Sequence, residues 1–230
     1  MTTPAIDHKI HQIWVGGRVP TELRDMMQTW RDHHPSWECK LWTDSEVAGL
    51  VDPRLSKHPM TNWSLYQRAE SLVPRDAVGQ FRADLLRYEI LYREGGFYAD
   101  ADTICLQPID DAVNGRDTFA AAEDANWIGN TYLGASQHHP VMLDLVEGCA
   151  LAVARHKKGT RPNKLSGPQM LTPIWREHGG HVDPTDLWFA GGSYSHVKNG
   201  TVIEDYGDAY ASHHWFHTRQ VLRARGRTDV

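Results

Sequence analysis

One stretch, residues 79–110 (GQFRADLLRYEILYREGGFYADADTICLQPID), constrains the fold more than any other. It reads as an amphipathic helix, a two-glycine stop and a short apolar strand, Phe97-Tyr98-Ala99, that runs into two carboxylates one residue apart, Asp100 and Asp102. Val78, Phe81, Leu85, Tyr88 and Tyr92 recur at three- and four-residue steps, the spacing of a single buried helical face. The helix is expected over residues 74–94, with Gly95 ending it in the left-handed conformation. Asp84 and Arg87 sit one turn apart on a face bordering the apolar one. Arg82, Glu89 and Arg93 read as outward residues in weak surface ion pairs. Ligands of open α/β sheets bind at the carboxyl ends of the strands, where Asp100 and Asp102 fall.

The chain before this stretch opens a parallel α/β sheet. Residues 9–15 (KIHQIWV) alternate apolar and polar and read as a strand ended by Gly16-Gly17, glycines that allow close backbone approach to a ligand. The GGRVP that follows is not a GxGxxG or GxxxxGK[ST] phosphate loop. Trp14, at the strand end, is placed either to stack on a base or to fill the core. A helix over 20–34, a strand over 38–42 and a helix from Asp44 or Ser45 to residue 51 complete a βαβα pattern. Pro53 and Pro59 interrupt the next segment, and a short helix is expected over 64–72.

After the central stretch, strands are expected over 118–122 and within 127–135, and helices over 140–154 and 168–178. Pro173 lies inside the last of these as a kink or restart. Residues 155–164 (RHKKGTRPNK) read as a basic mobile surface loop, 187–189 and 202–203 as edge strands, and the arginine-rich tail as frayed. No repeat or low-complexity linker breaks the chain, so one domain is expected over 1–230.

Composition narrows the function. Charged residues make up 23% and the net charge is −5, with no basic patch of a nucleic-acid or membrane-surface binder. The three cysteines, Cys39, Cys105 and Cys149, form no CxxC pair, so neither a disulfide framework nor a zinc knuckle is expected. That usage fits a reducing compartment. The opening MTTPAIDHK lacks the features of a signal peptide, and no apolar run approaches the ~18 residues of a membrane span. A cytoplasmic location and no transmembrane segment are expected.

Two carboxylates at i and i+2 at a strand end can approach one cation together. Hard divalent ions such as Mg²⁺ and Mn²⁺ take one or two carboxylates plus substrate phosphates. A diphosphate leaving group needs such neutralisation. An EF-hand is excluded, because Ile104, Cys105 and Asp111 stand at positions 5, 6 and 12 of the would-be loop. An aspartate-nucleophile phosphatase uses a similar Asp-x-Asp-Thr, but near the start of its domain, and here 99 residues precede it. A nucleotide-sugar binding module without turnover is the other alternative.

The residues also carry a resemblance. HKIHQIWVGG (8–17), Thr29-Trp30 through Trp42-Thr43-Asp44, and Ala83-Asp84-Leu85-Leu86-Arg87-Tyr88 through Gly95-Gly96-Phe97-Tyr98-Ala99-Asp100-Ala101-Asp102 resemble the DxD-containing glycosyltransferases of family 32. That family includes the yeast initiating α-1,6-mannosyltransferase and bacterial capsule-type enzymes of polysaccharide biosynthesis. The chain is more distantly similar to the catalytic domains of the large clostridial glucosylating toxins. Residues 130–140, Ser166-Gly167-Pro168 and Tyr210-Ala211-Ser212-His213-His214-Trp215 look like the later blocks. Two positions depart from the family: Ala99 stands where leucine is common, and His217-Thr218 where the late block often ends in Ser-Trp.

The resemblance implies a GT-A-type nucleotide-sugar-binding fold, α/β, with a mostly parallel central sheet flanked by helices. Its nucleotide-sugar part would span about residues 1–110 and its acceptor side about 111–230. It implies a metal-dependent, retaining transfer of a hexose from a UDP- or GDP-sugar to the hydroxyl of a glycan, lipid or small-molecule acceptor. Trp14, Val15, Gly16, Asp84, Arg87 and Asp100 would bind the donor. Asp100, Asp102, Arg87 and Asn130 would form the catalytic group, with Asp124 and Asn130 toward the acceptor. Asp102, Asp100 and His213 would hold Mn²⁺ or Mg²⁺, with His214 and His217 competing for the late position. No carboxylate stands out as a covalent nucleophile. His8 and His11 are expected to stabilise the first strand, and His33-His34 and His138-His139 to be surface or capping residues.

Overall fold

A computed structural model describes residues 5–51, 60–190 and 206–216, and the statements below concern these residues. The elements are β1 (Lys9–Ile13), α1 (Thr21–His33), β2 (Glu38–Trp42), α2 (Asp44–Val51), α3 (Trp63–Gln67) and α4 (Ala69–Leu72). A 3-10 turn (Arg75–Ala77) leads into α5 (Val78–Glu94), β3 (Gly96–Ala99), β4 (Thr103–Cys105), α6 (Asp110–Val113), β5 (Thr118–Ala122) and β6 (Ile128–Ala135). Then come α7 (Pro140–Arg155), α8 (Pro162–Leu165), α9 (Pro168–His178), β7 (Val182–Asp183), α10 (Thr185–Trp188) and β8 (Ala211–His213).

The main sheet has the order β2-β1-β3-β6-β5-β7. β6 alone runs against its neighbours β3 and β5, and the remaining pairings are parallel. This is the expected mostly parallel α/β sheet. Both faces are buried, as such sheets require. Ile13, Tyr98, Ala120 and Leu133 pack with α5, α7 and α9 on one side. Ile10, Phe97, Phe119 and Tyr132 pack with Trp30 of α1 and Trp188 of α10 on the other. β4 and β8 form a separate two-stranded sheet.

α5 is the central helix. Phe81, Leu85 and Tyr88 are fully buried as the periodicity requires, each burial contributing about 1.5–3 kcal/mol. Glu89 corrects the reading of an outward face: it is 1% exposed, bound to Arg93 at 2.7 Å and accepting the Thr61 N–H at 3.1 Å. The segment through α3 and α4 covers that side of the helix, which a single-face periodicity cannot show. Gly95 caps α5 with φ 64° and ψ −163°, not left-handed helical as expected, because the chain reverses at once into β3. That region of backbone space is open to little but glycine. A Cβ on Gly95 would meet the Gln137 nitrogen at 2.8 Å, and one on Gly96 the Lys9 carbonyl at 2.9 Å.

Other expectations shift. β1 stops at Ile13, two residues short of the alternating run. Asp44 starts α2, yet its carboxylate accepts the N–H groups of Gly16 (3.1 Å) and Gly17 (3.2 Å). The capping contact comes from Glu46, which accepts the Thr43 N–H at 3.0 Å. The expected helix over 64–72 divides into α3 and α4 at Arg68. The basic 155–164 segment is not a free loop: the Gly159 N–H bonds to the Leu72 carbonyl, Arg161 pairs with Asp76, and Pro162 opens α8. α9 continues through Pro173. The expected edge strand at 187–189 is helix α10 and its end, started after Pro184 and anchored by Trp188 Nε1–H donating to Asp183. The expected strand at 202–203, the tail from 217 onward and Pro53 and Pro59 lie outside the described residues.

The histidines of the first strand act structurally. His11 is buried, accepts the Trp42 Nε1–H at Nδ1 (3.1 Å) and donates from Nε2 to the Gly95 carbonyl (2.9 Å). His8 stacks on Trp37. His34 is the C-cap residue of α1 and is buried, with Nδ1 on the Trp30 carbonyl and Nε2 accepting the Ile109 N–H. His139 caps α7. All three cysteines are free thiols. No helix among the described residues is long and apolar enough to cross a membrane.

Burial lowers the His11 pKa to about 4, with the bond to Gly95 opposing that shift. The unfolded chain therefore binds a proton there below pH 6.5 that the folded one refuses. Stability from this site is present above pH 6.5 and lost as pH falls toward 4, up to ~3 kcal/mol. Urea denaturation of wild type and His11→Gln between pH 7.5 and 4.5 checks this. The wild type should lose more stability across the window, and equal slopes would contradict the assignment.

Candidate active site

The parallel strands deliver the site residues to one edge of the sheet. Trp14, Val15 and Gly16 follow β1, and Asp100, Ala101 and Asp102 follow β3, the strand that pairs parallel with it. The two aspartates do not continue an extended strand. The chain turns between them, with the Thr103 N–H and hydroxyl both donating to the Asp100 carbonyl (3.2 and 2.6 Å). That turn lets both carboxylates face one point.

Arg87 is the hub behind them. Its Nη2 lies 3.0 Å from Asp84 Oδ1 and 3.0 Å from Asp100 Oδ1, its Nη1 donates to the Asn130 carbonyl, and its guanidinium lies 4.5 Å over the Tyr98 ring. Its side chain is 4% exposed, and that of Asp84 1%. Burial opposes the Arg87 charge, but Asp100, Tyr98 and Asp84 outweigh it and raise the pKa above the ordinary arginine value. Asp84 also accepts from the Asn130 amide (2.9 Å) and the Ser166 hydroxyl (2.7 Å). Burial pushes its carboxyl up to about 6 against the pull of Arg87 and these donors. Asp100 faces outward, its side chain 21% exposed, with the Tyr98 hydroxyl donating to Oδ1 at 2.7 Å.

The late chain completes the other half. β8 pairs with β4 so that His213 lies opposite Thr103. His213 Nε2 is 3.1 Å from Asp102 Oδ1, while Asp102 Oδ2 accepts the Phe216 N–H at 2.8 Å. Burial disfavours the charged form of both groups. Their mutual attraction wins, raising the His213 pKa and, with the Phe216 bond, holding Asp102 down to about 2. His214 meets Asp102 through its backbone N–H. His217 lies outside the described residues.

One ligand atom each from Asp100, Asp102 and His213 lies within 4.8 Å of the others. Two carboxylate oxygens and one imidazole nitrogen make a chemically suitable set for a divalent cation. The supporting contacts fit that use, since the Tyr98 hydroxyl orients Asp100 and the Phe216 N–H orients Asp102.

The structure thus brings Asp84, Arg87, Asp100 and Asn130 into one network, with Asp102 and His213 adjoining. Asn130 is 9% exposed, with both its amide and its carbonyl turned onto Asp84 and Arg87. Trp14 is half-buried against the cluster of Leu23, Met27 and Ala101, the residue between the two aspartates. Val15 packs on the main core, and Gly16 is exposed with its N–H on Asp44. Asp124 does not face the site freely, because its Oδ1 accepts the Asn126 and Trp127 N–H groups of its own turn.

The sequence reading gave no role of their own to three residues that the structure places here. Ser166 anchors Asp84 from the Ser-Gly-Pro block, Tyr98 supports both Arg87 and Asp100, and Glu123 follows β5 at the same sheet edge. The rule that pointed to Asp100, a carboxylate just past the end of a parallel strand, applies equally to Glu123.

The sheet order and the placement of this cluster define a GT-A-type glycosyltransferase fold. Residues 20–120 match the family described as "Glycosyltransferase sugar-binding region containing DXD motif". The chain is 27% identical over 172 residues to inositol phosphoceramide mannosyltransferase 3 of Schizosaccharomyces pombe, a match covering 74% of this chain and 45% of that protein. It therefore spans less than half the length of this relative. Among solved structures, PaToxG glycosyltransferase superposes with a TM-score of 0.60 at 18% identity, covering 76% of this chain and 70% of that one. The UDP-bound glycosyltransferase domain from the YGT toxin gives 0.54 at 10% identity, covering 79% and 80%. The resemblance seen in the sequence, to DxD-containing glycosyltransferases and to toxin catalytic domains, is borne out.

Removing Asp84 leaves Arg87 buried with part of its charge uncompensated and strips partners from Ser166 and Asn130. Asp84→Ala should lower stability by about 3–5 kcal/mol in urea denaturation, as for broken buried pairs. A loss under ~1 kcal/mol would contradict the role assigned to this network.

Proposed function

We propose that this chain is a metal-dependent, retaining glycosyltransferase that moves a hexose from a nucleotide-diphosphate sugar to an acceptor hydroxyl. The observation that carries the reading is the grouping of Asp100, Asp102 and His213 beside the buried Asp84–Arg87 pair at the carboxyl edge of the sheet. A mannosyl donor is favoured by the mannosyltransferase named among the relatives, and a UDP donor by the UDP-bound neighbour. The acceptor is a hydroxyl of a glycan, lipid or small molecule, consistent with a place in polysaccharide or glycolipid synthesis. One domain over 1–230 would carry donor binding in about its first 110 residues and acceptor binding in the rest. Three free thiols favour a reducing, cytoplasmic setting.

In this reading Asp102, Asp100 and His213 hold Mn²⁺ or Mg²⁺. When bound, the ion neutralises the donor diphosphate and stabilises it as it leaves. Arg87, fixed by Asp84 and Asp100, places a second positive charge toward the same phosphates and sugar. Asn130 keeps Asp84 and Arg87 in register, which gives it a catalytic influence through positioning. Trp14 stacks on the base, with Val15 and the Gly16 backbone beside the nucleoside. The acceptor oxygen bonds to the anomeric carbon on the face from which the diphosphate departs with the bonding electron pair.

Nucleotide release from UDP- and GDP-hexoses, measured with Mn²⁺, with Mg²⁺ and with chelator, tests the reading. Turnover should require the metal and fall at least ~100-fold in Asp102→Ala. Metal-independent turnover, phosphate release from phosphomonoesters or nucleotide-sugar binding without turnover would each overturn it. Trp14→Ala should weaken nucleotide binding by calorimetry about tenfold or more, since stacking on a base contributes ~1–3 kcal/mol. Unchanged affinity would return Trp14 to a purely packing role.

A further inference from the structure

Each carboxylate assigned to the donor half already has a donor or a cation. Asp84 and Asp100 share Arg87, and Asp102 meets His213 and the Phe216 N–H. Asp124 is turned into its own loop. Glu123 differs. It follows β5, which runs parallel to β3 on the far side of β6, so Asp100 and Glu123 leave the sheet at the same edge. Two strand spacings separate them at sheet level, roughly 10 Å. The floor between is Gly129 of β6, where an added Cβ would meet the Phe189 ring at 3.1 Å and the Glu123 Cβ at 3.3 Å. Phe189 in turn packs on the His213 ring, with centroids 6.0 Å apart. Glu123 is thus one residue layer, through Phe189, from the His213 of the proposed metal cluster.

Its surroundings suit a base. The backbone N–H of Glu123 is tied to the Trp127 carbonyl at 2.9 Å, which fixes where the side chain leaves the loop. Burial pushes its carboxyl up to about 7, with His213 opposing the shift and Asp124 and Asp100 adding to it. A carboxylate tuned upward in this way accepts a proton from a hydroxyl better than an exposed glutamate does.

The geometry points to Glu123 as a catalytic residue that receives the proton of the attacking hydroxyl. In the step, the hydroxyl oxygen forms its bond to the anomeric carbon and the bond from that carbon to the diphosphate oxygen breaks. The electron pair leaves on the diphosphate. The hydroxyl proton passes to the Glu123 carboxylate, and solvent removes it after the product leaves. This rests on the glycosyl-transfer reading above. The loop after β5 ties Asp124 to its own turn and leaves Glu123 at the sheet edge, its Cβ beside Gly129.

The experiment uses the full chain with Mn²⁺ and whichever UDP- or GDP-hexose the wild type hydrolyses, water serving as the acceptor. Glu123→Gln should lose at least ~100-fold in kcat, within the usual range for a general base, while KM for the donor changes less than about threefold. Glu123→Asp should recover part of the rate. UDP or GDP affinity, measured by calorimetry in both variants, should stay within about threefold of wild type. A kcat for Glu123→Gln within about threefold of wild type would overturn the inference while leaving the transfer reading intact. So would a parallel loss of kcat and nucleotide affinity in both variants, the mark of a structural role. A wild type that releases no nucleotide from any donor would overturn the transfer reading and this inference with it.

Discussion

A guanidinium buried without partners would cost several kcal/mol, and the site depends on how Arg87 escapes that cost. Asp84 lies beneath it and Asp100 above it, each 3.0 Å away, and the Asn130 carbonyl and Tyr98 ring take up the sides. Four separate parts of the chain meet on this one charge: α5, the end of β3, β6 and, through Ser166 on Asp84, the start of the α9 segment. The arrangement has a direction. Its inner carboxylate is sealed from water and its outer one is open to it. The guanidinium is therefore held in the core, and the group it orients at the surface is the Asp100 carboxylate.

The partner of Asp102, His213, comes from more than a hundred residues later. It reaches Asp102 only because β8 pairs with β4, which leaves the main sheet immediately after the aspartate turn. That departure is possible because the turn at Asp100-Ala101-Asp102 is closed by Thr103. The glycines upstream set the approach. Gly95 and Gly96 let α5 reverse into β3 with the backbone pressed against Lys9 and Gln137, so helix and strand leave no room for side chains at the corner. The same tightness fixes the distance between Arg87 on the helix and Asp100 on the strand.

Much of the frame was legible because it rests on local periodicity. β2, β5 and α9 stand where alternation, an apolar run and a proline start placed them, and the helix-Gly-Gly-strand-DxD stretch reads directly from the sequence. What was not legible depends on what covers what. Glu89 looked like a surface residue because one apolar stripe satisfied the helix rule, yet α3 and α4 lie over its face. Residues 187–189 looked like a strand because three apolar residues in a row carry no period, and Trp188 instead anchors a helical turn on Asp183. In the site, Asp84, Arg87, Asp100, Asp102 and His213 fell together as the motifs suggested. Asp124, read as an acceptor-side candidate, instead has its Oδ1 taken by the Asn126 and Trp127 N–H groups of its own turn, a pairing that composition does not reveal.

The central claim is that Asp100, Asp102 and His213 form a cation site that works together with a nucleotide diphosphate. Electron paramagnetic resonance of Mn²⁺ titrated with the purified chain, with and without UDP or GDP, addresses it directly. The account predicts that the free Mn²⁺ signal falls to an endpoint of one ion per chain, and that nucleotide tightens the binding. A free-ion signal that the protein leaves unchanged, with or without nucleotide, would contradict it.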